Sequence, residues 1–470
     1  MNSISECLEQ MDPATRKQVY TSFSIMFILL AFPFICMQAL LALSVTGLIV
    51  SRILILRKNG AHIPSLYTQP NSIDNLFLSI VILFLISNIL AMFSHSLPLY
   101  VIGQAVGIST FGVGVATIIR CRSMFKFTSL IDEEYPAKRY RDEIIRLCSL
   151  NSSIALLIAG ITYASLAGLW ICHWQGMDAS YDLIFFVAVI GSITGALFES
   201  IPSNIDENIS VTLGSGMAMW AFSSFGYSVP PQQMVLALLF ALFLGYVAYR
   251  TRIADISAVL SATLMGVLVI VFSNILWFML LLTFFILGGM FTKYRYRYKE
   301  ALGLAQSKGG VRTYENVFSN STAALTLAIA HGIFPEYSTV IIYAFLGTVA
   351  TAIGDTLASE IGITSKQQPR LITTLRPVQT GIDGGVTLLG ELAAIGGSLV
   401  IGILAFLFGV VDNTILAVAI TVAGGFLGTN FDSVLGATLQ NRKLLSNSGV
   451  NFVATFAGAI ISGGLYLLFN

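Results

Sequence analysis

Charged residues are scarce in this 470-residue chain: Asp, Glu, Lys and Arg make up 10% of it, against 56% hydrophobic residues. That balance, with a mean hydropathy of +0.82, excludes a water-soluble globule. Cysteine is nearly absent too. The five present (Cys7, Cys36, Cys121, Cys148, Cys172) form no CxxC pair, which argues against a disulfide framework or a zinc site. No GxxxxGK[ST] loop occurs, so a P-loop nucleotide site is excluded, and neither a DGxxAR nor a DDxxD run is found. Only four histidines occur; one of them, His331, reads as a packed or interfacial residue at the far end of a span. The net charge of +1 is uninformative about partners, and no nucleic-acid partner is expected.

What the chain does have is a succession of apolar runs long enough to cross a bilayer, from about residue 21 to the end. They predict an all-α, polytopic integral membrane protein with about fifteen transmembrane helices in two modules. The first two runs could form one long helix kinked at Pro33. The first run leads straight into further spans, without a small-residue cleavage site, and reads as a span, not a removable signal. Lys and Arg are one-sided. With the N-terminus in the cytoplasm, loops 1–20, 51–72, 119–149, 250–254, 292–316, 356–384 and 431–449 share that side and hold all 25 of them. The expected location is therefore the cell membrane, multi-pass, with the N-terminus and the polar motifs cytoplasmic. The modules, 1–230 and 233–470, meet at GYSVPPQQ, where Pro230 and Pro231 interrupt helix. The mixed-charge segment 120–146 reads as a solvated loop, and the Tyr/basic alternation of 293–299 as interfacial anchoring.

Polar islands interrupt the second module: GDTLASEIG at 354–362, GIDGG at 381–385 and FDSVLGATLQN at 431–441. Each stands at the edge of an apolar run, where an unpaired carboxylate is costly. Asp355, Glu360 and Asp432 can converge there from separate helices, and converging carboxylates repel unless a cation or protons lie between them. Magnesium, held by carboxylates and nucleotide phosphates, suits such a place. Lys308, Arg312, Asn316 and Asn320 recur every four residues, which on a helix gives one face. Lys366, Arg370, Arg376, Arg442 and Lys443 flank the acids and suit phosphate. Gly381, Gly384 and Gly385 precede a helix and would let backbone N–H groups approach an anion. Together these parts suit phosphoryl transfer to a lipid.

The motifs KGGVRTYENVFSN, GDTLASEIG, PRLITT followed by GIDGGVTLLG, FDSVLGATLQ and GVNFVATFAGA resemble, over roughly 235–470, the family containing transmembrane protein 19 and the plant phytyl-phosphate kinase (domain of unknown function 92). The resemblance implies CTP-dependent transfer of phosphate to a prenyl monophosphate. In the first module, ALFESIPSNIDENISVTL at 196–213 resembles the phytol and dolichol kinases, with Glu199, Asp206 and Asn208 as its site residues. Two departures stand out: Tyr20 where a histidine is expected, and FGVGVAT at 111–117, which lacks the aspartate of a Gly-Asp-Gly turn.

The expected activity is thus a membrane isoprenoid kinase, a transferase making a polyprenyl diphosphate from the monophosphate and also able to take the free prenol. Asp355, Glu360 and Asp432 are the expected catalytic and magnesium-holding residues. Lys308, Arg312, Asn316, Asn320, Lys366, Arg370, Asp383, Gly384, Gly385, Gln440 and Asn451 are the expected phosphate-binding set. Its partners would be an isoprenoid lipid and CTP or another nucleoside triphosphate, and a homodimer is among the assemblies allowed. The alternative is a transporter or lipid flippase using the same carboxylates as ion or phosphate sites.

Overall fold

In the computed structural model, which describes residues 11, 13–59, 73–128, 137–201, 205–411 and 414–469, 81% of the described residues are helical. It is a polytopic all-α membrane protein. Every apolar run expected to span lies on a helix, but the helices differ in kind. Among the described residues ten are long and apolar enough to cross a membrane, and three shorter apolar helices cover Val19–Phe34, Met37–Ile53 and Ile256–Phe272. Two expected spans, α8 (Glu207–Ser224) and α13 (Tyr314–Ile333), belong to neither group among the described residues. These helices carry ENISVTLGS and YENVFSNST, whose polar side chains lower their hydropathy.

The chain divides into two compact units, Met1–Met234 and Val235–Asn470. The first contains α1 (Pro13–Ile28), α2 (Met37–Asn59), α3 (Ile73–Ala91), α4 (Leu99–Gly107), α5 (Val113–Thr128), α6 (Ala137–Gln175), α7 (Tyr181–Ser200) and α8. Pro33 does not kink one long helix. The chain tightens into a 3-10 segment at Leu29–Phe34 and restarts at Met37, because proline cannot donate to the preceding turn. Carbonyls released there need donors in an apolar setting. Side chains of α6 provide them: Tyr163 Oη donates to Met26 O at 2.6 Å and Trp170 Nε1 to Leu30 O at 3.0 Å, and Gln175 donates to Pro33 O. FGVGVAT is not a turn but a π-helical widening at Ile108–Gly112 followed by α5. Residues 129–136 of the mixed-charge segment lie outside the described residues, and helix stands on either side of them.

The second unit follows through α9 (Pro231–Arg250), which starts at Pro231, a position where proline suits the first turn. Then come α10 (Ile256–Phe272), α11 (Ile275–Lys293), the short α12 (Tyr296–Ala301), α13, α14 (Ser338–Gly362), α15 (Leu388–Leu407), α16 (Thr414–Leu435) and α17 (Asn447–Phe469). The centre is α14: 83% of its span is buried, against 33% for α17. Phe345, Leu346, Val349, Ala350 and Ile353 fill the core with Trp277, Leu280 and Phe284 of α11. Small residues bring the backbones close, the usual means of helix packing in lipid. A Cβ on Gly428 or Gly458 would fall 2.1 Å from Thr351 Oγ1. His331 ends α13 against the Trp277 ring, with centroids 4.7 Å apart. Between α14 and α15 the chain folds back as an antiparallel pair, β1 (Arg370–Leu371) and β2 (Gly385–Val386), registering Arg370 with Val386 and Leu371 with Gly385.

Candidate functional site

Alternating helix direction in the second unit gathers five helix ends on one side. The C-terminal turns of α14 and α16 meet the N-terminal turns of α13, α15 and α17 around a cavity of about 380 Å³. The three N-termini bring partial positive charge and free N–H groups to one place, which favours an anion. Their local sequence explains why they start there. Thr313 and Asn316 form a capping box at α13, Thr387 Oγ1 accepts from Gly390 N at 3.1 Å at α15, and Ser446 Oγ accepts from Gly449 N at 3.1 Å at α17.

The cavity collects most of the residues expected from sequence: Arg312, Asn316, Asn320, Asp355, Glu360, Asp383, Gly384, Gly385, Asp432, Gln440 and Asn451. Asp355 and Asp432 touch through their side chains, from α14 and α16 respectively. Asp432 Oδ2 is buried and accepts no hydrogen bond from the described residues. Two carboxyls in contact require a proton or a cation between them.

Asp383 and Gln440 are linked by a side-chain hydrogen bond, and burial raises the Asp383 pKa with that bond opposing the shift. Gly384 has to be glycine: its φ is +76°, and a Cβ would lie 2.5 Å from Ser433 O. This close approach seats the GIDGG loop against the end of α16, where a π-helical turn, Gly436–Gln440, carries Gln440.

Arg312 reaches the cavity by a route that the four-residue spacing did not foresee. Helix begins only at Tyr314, so 308–320 is not one continuous helical face. Arg312 lies instead on extended chain, its N–H donating to Ile253 O at 2.8 Å and its carbonyl accepting from Asp255 N at 3.0 Å. Its guanidinium lies 5.3 Å from the Phe284 ring centre. Gly288 leaves the room: a Cβ there would sit 2.4 Å from Arg312 Nη2. Arg312 is 7% exposed, and its Nε has no partner. Burial lowers its pKa to about 10, with the charge of Glu360 opposing, so it remains cationic at neutral pH. Asn320, 3% exposed, likewise keeps a buried Oδ1 with no partner.

Several expected residues are placed otherwise. Lys366 and Arg370 are exposed and do not line the cavity; Arg370 Nη1 donates to Leu375 O at 3.0 Å within its own hairpin. The Lys308 side chain lies outside the described residues. Asn316 Oδ1 is used in capping, accepting from Thr313 N at 3.0 Å. Glu360 does not face Asp355 and Asp432 as a free ligand: it pairs with Lys299 and accepts from Gln306 Nε2 at 2.7 Å. Among the described residues no three His, Cys, Asp or Glu are grouped to hold a metal ion. The Asp355 and Asp432 pair is the place where a cation with phosphate ligands could be held.

Sequence reasoning missed Lys299, Gln306 and Glu391. Lys299 is not an interfacial anchor; it is 1% exposed. Glu391, in the first turn of α15, lines the cavity and accepts from Asn430 Nδ2 at 3.0 Å. Its place in the first turn after the N-capping Thr387 was the available signal, since acidic residues are enriched there. Among the described lining residues, five carboxylates stand against one guanidinium.

In the first unit Glu199 is buried and ion-paired with Arg120, and it accepts from Ser152 Oγ and Ser153 Oγ, both at 3.3 Å. Asp206 caps α8, accepting from Asn208 N at 2.9 Å. Cys36 and Cys172 are free thiols.

Residues 239–459, within the second unit, match the family described as "Integral membrane protein DUF92". An uncharacterized membrane protein of Methanocaldococcus jannaschii is 33% identical over 234 residues, 50% of this chain and 94% of that one. Protein PGR of Arabidopsis thaliana is 28% identical, covering 48% of this chain and 93% of its own. Protein VTE6, chloroplastic, of the same plant is 27% identical over 39% of this chain and 57% of its own. No solved structure matches.

Proposed function

The chain belongs to the DUF92 family of integral membrane proteins, and from that premise we propose that its second unit transfers phosphate from a nucleoside triphosphate to a prenyl monophosphate, giving the diphosphate. The observation that carries this reading is the cavity at five helix ends, where Asp355 and Asp432 meet and Arg312 and Asn320 leave buried polar atoms unpartnered. The motif resemblance to the phytyl-phosphate kinase family supplies the substrate class and CTP as donor. An isoprenoid monophosphate also suits a polar site at the ends of membrane helices, since its chain belongs in lipid and its headgroup outside it.

In this reading Asp355 and Asp432 would hold a magnesium ion with help from phosphate oxygens, and Asp432 Oδ2, which has no hydrogen-bond partner, fits that use. Bound there, the ion would offset phosphate charge as it develops. Arg312 supplies a fixed cation from the apolar side of the cavity, where its field is least screened. Asn451 orients phosphate oxygens from α17, whose N-terminal dipole acts in the same direction, and Asn320, whose Nδ2 already donates to Asn316 O and Ser319 Oγ, would offer its unpartnered acceptor Oδ1 to the cation. Asp383 and Gln440 hold the glycine loop that approaches the anion. The reaction then depends on positioning and electrostatics, which suffices for phosphoryl transfer. The site faces the cytoplasm, on the side that holds the basic loops, and so has access to nucleotides.

The test is phosphate transfer by purified full-length protein in lipid nanodiscs. Labelled CTP or ATP, magnesium and geranylgeranyl monophosphate or geranylgeraniol are supplied, with Asp355→Asn in parallel. Labelled diphosphate from the monophosphate, lost in the variant, is the expected result. Product from the free alcohol would give the first unit an alcohol kinase activity of its own. Absence of transfer from either nucleotide to either lipid, in folded protein, would sink the reading and favour ion or lipid transport.

A further inference from the structure

Lys299 is the most enclosed charged residue among the described residues at 1% exposure, and Glu360 is 4% exposed. An ammonium so buried is tolerated only when its protons are used and its charge is met. All three donors are engaged: Lys299 Nζ donates to Thr292 O at 2.8 Å, to Phe291 O at 3.1 Å and to the Glu360 carboxylate. Thr292 and Phe291 belong to the last turn of α11, whose free carbonyls favour a cation. Glu360 belongs to the last turns of α14. The other Glu360 oxygen accepts from Gln306, so both of its oxygens are bound by the same segment of chain.

That segment, 294–306, has little else to hold it. It contains one helix of six residues, α12, entered through Arg295 at φ +50° and left through Gly303 at φ +70°. An isolated helix of that length has no stability of its own. Yet it supplies Leu304 and Gln306 to the cavity wall, and Leu304 packs where a Cβ on Gly381 would meet it at 2.3 Å. Glu360 is five residues from Asp355 on the same helix, so whatever fixes the segment to Glu360 also fixes it relative to the carboxylate pair.

We infer that Lys299 and Glu360 are positioning residues: their buried ion pair, completed by Gln306, pins the 294–306 segment to the ends of α11 and α14 and so sets the cavity wall against which substrate is bound. This rests on the phosphotransfer reading only for its kinetic consequence. The pair does not hold metal and does not touch the reacting phosphate; it fixes the shape of the cavity that receives it.

The test uses full-length protein in nanodiscs, with Lys299→Met, Glu360→Gln, the double variant and Asp355→Asn. Hydrogen–deuterium exchange is followed at the amides of 296–306, several of which are protected by bonds such as Leu304 N to Lys299 O at 2.9 Å. Both single variants are expected to exchange at least tenfold faster in this segment while α14 and α16 stay protected, and Asp355→Asn should exchange as wild type. Phosphate transfer by the single variants should show a KM for the prenyl monophosphate raised about tenfold, with kcat within about threefold of wild type. Gln306→Ala removes one bond only and should give the same pattern more weakly, a safeguard should either single variant misfold; the charge-free double variant serves the same purpose. Unchanged exchange at 296–306, or a loss confined to kcat and as deep as that of Asp355→Asn, would overturn the inference, the second outcome placing Glu360 in the reacting centre. If wild type transfers no phosphate, the function proposed above falls, while the exchange measurement still decides whether the pair holds the segment.

Discussion

Each unit buries acidic side chains among helices, and the two treat them differently. In the first, Glu199 is closed off by Arg120, Ser152 and Ser153, so the charge is matched and its oxygens are used. In the second, Glu360 is closed off in the same way by Lys299 and Gln306, but five residues back along α14 the pattern stops. Among the described residues Asp355 meets Asp432 with no cationic side chain paired to either, and Asp432 Oδ2, Arg312 Nε and Asn320 Oδ1 have no hydrogen-bond partner. A buried acid among membrane helices is therefore not by itself the mark of a site. The mark is polar capacity that the protein itself does not use, gathered beside a cavity.

The largest expected effect tests that distinction directly. Asp355→Asn and Asp432→Asn should each lower kcat for phosphate transfer by roughly a thousandfold, the scale of losing a group that acts on developing charge. Thermal stability should hold or rise, since each change removes a charge from a repelling pair. Retained activity in both variants, measured in the nanodisc assay, would remove the contrast between the units.

Arg312 sharpens the comparison because it can be disturbed without being replaced. Arg312→Lys keeps the charge but loses the planar fork, and a fall of roughly a hundredfold is expected. Gly288→Ala places a methyl group 2.4 Å from Arg312 Nη2 and should cost roughly tenfold by moving the guanidinium. Alanine favours helix over glycine by about 1 kcal/mol, so the melting temperature should not fall. Activity lost with stability kept separates a displaced functional group from a damaged core. A Gly288→Ala protein that melts lower and works normally would contradict the role given to Arg312.

The first unit supplies the opposite expectation. Glu199→Gln keeps the shape of the side chain while leaving Arg120, itself partly exposed, to find water. The cost should be about 1–2 kcal/mol, seen as a melting temperature lower by about 2–8 °C for a unit of this size, with transfer to the monophosphate unchanged. If Glu199→Gln instead abolishes that transfer, the two units do not divide the work as proposed.

Much of this was legible in the sequence. Apolar runs marked the helices because in lipid a spanning segment must satisfy its own backbone, and carboxylates at the edges of runs marked Asp355, Asp383 and Asp432 because an acid there needs a reason. What escaped depended on local geometry. Lys299 sits among tyrosines and arginines that do face outward, and nothing in the one-dimensional pattern distinguishes the single lysine that turns in. Arg312 shares a four-residue spacing with Asn316 and Asn320, yet the Gly309–Gly310 pair, both at positive φ, and the bridge to Ala254 keep it off the helix. The polar side chains of α8 and α13 lower their hydropathy without interrupting the helix, so composition separates them from the ten apolar helices while the expected spans do not.

The smallest expected effect concerns residues that composition alone would place in the site. Arg370 and Lys366 stand among the acidic islands, and a basic residue near phosphate chemistry invites a binding role. The antiparallel pairing of Arg370 with Val386 fixes the hairpin in the other sense: Arg370 is exposed, its guanidinium bonds the Leu375 carbonyl of the same turn, and neither residue lines the cavity. One exposed hydrogen bond of this kind is worth about 1 kcal/mol at most, and a surface charge at that distance is largely screened by salt. Arg370→Gln and Lys366→Gln should therefore change KM for CTP and for the prenyl monophosphate by less than about twofold at physiological ionic strength. A tenfold rise in either KM would mean that the 363–387 hairpin folds over the cavity when substrate is bound, and the boundary drawn here between the site and its surface would have to include it.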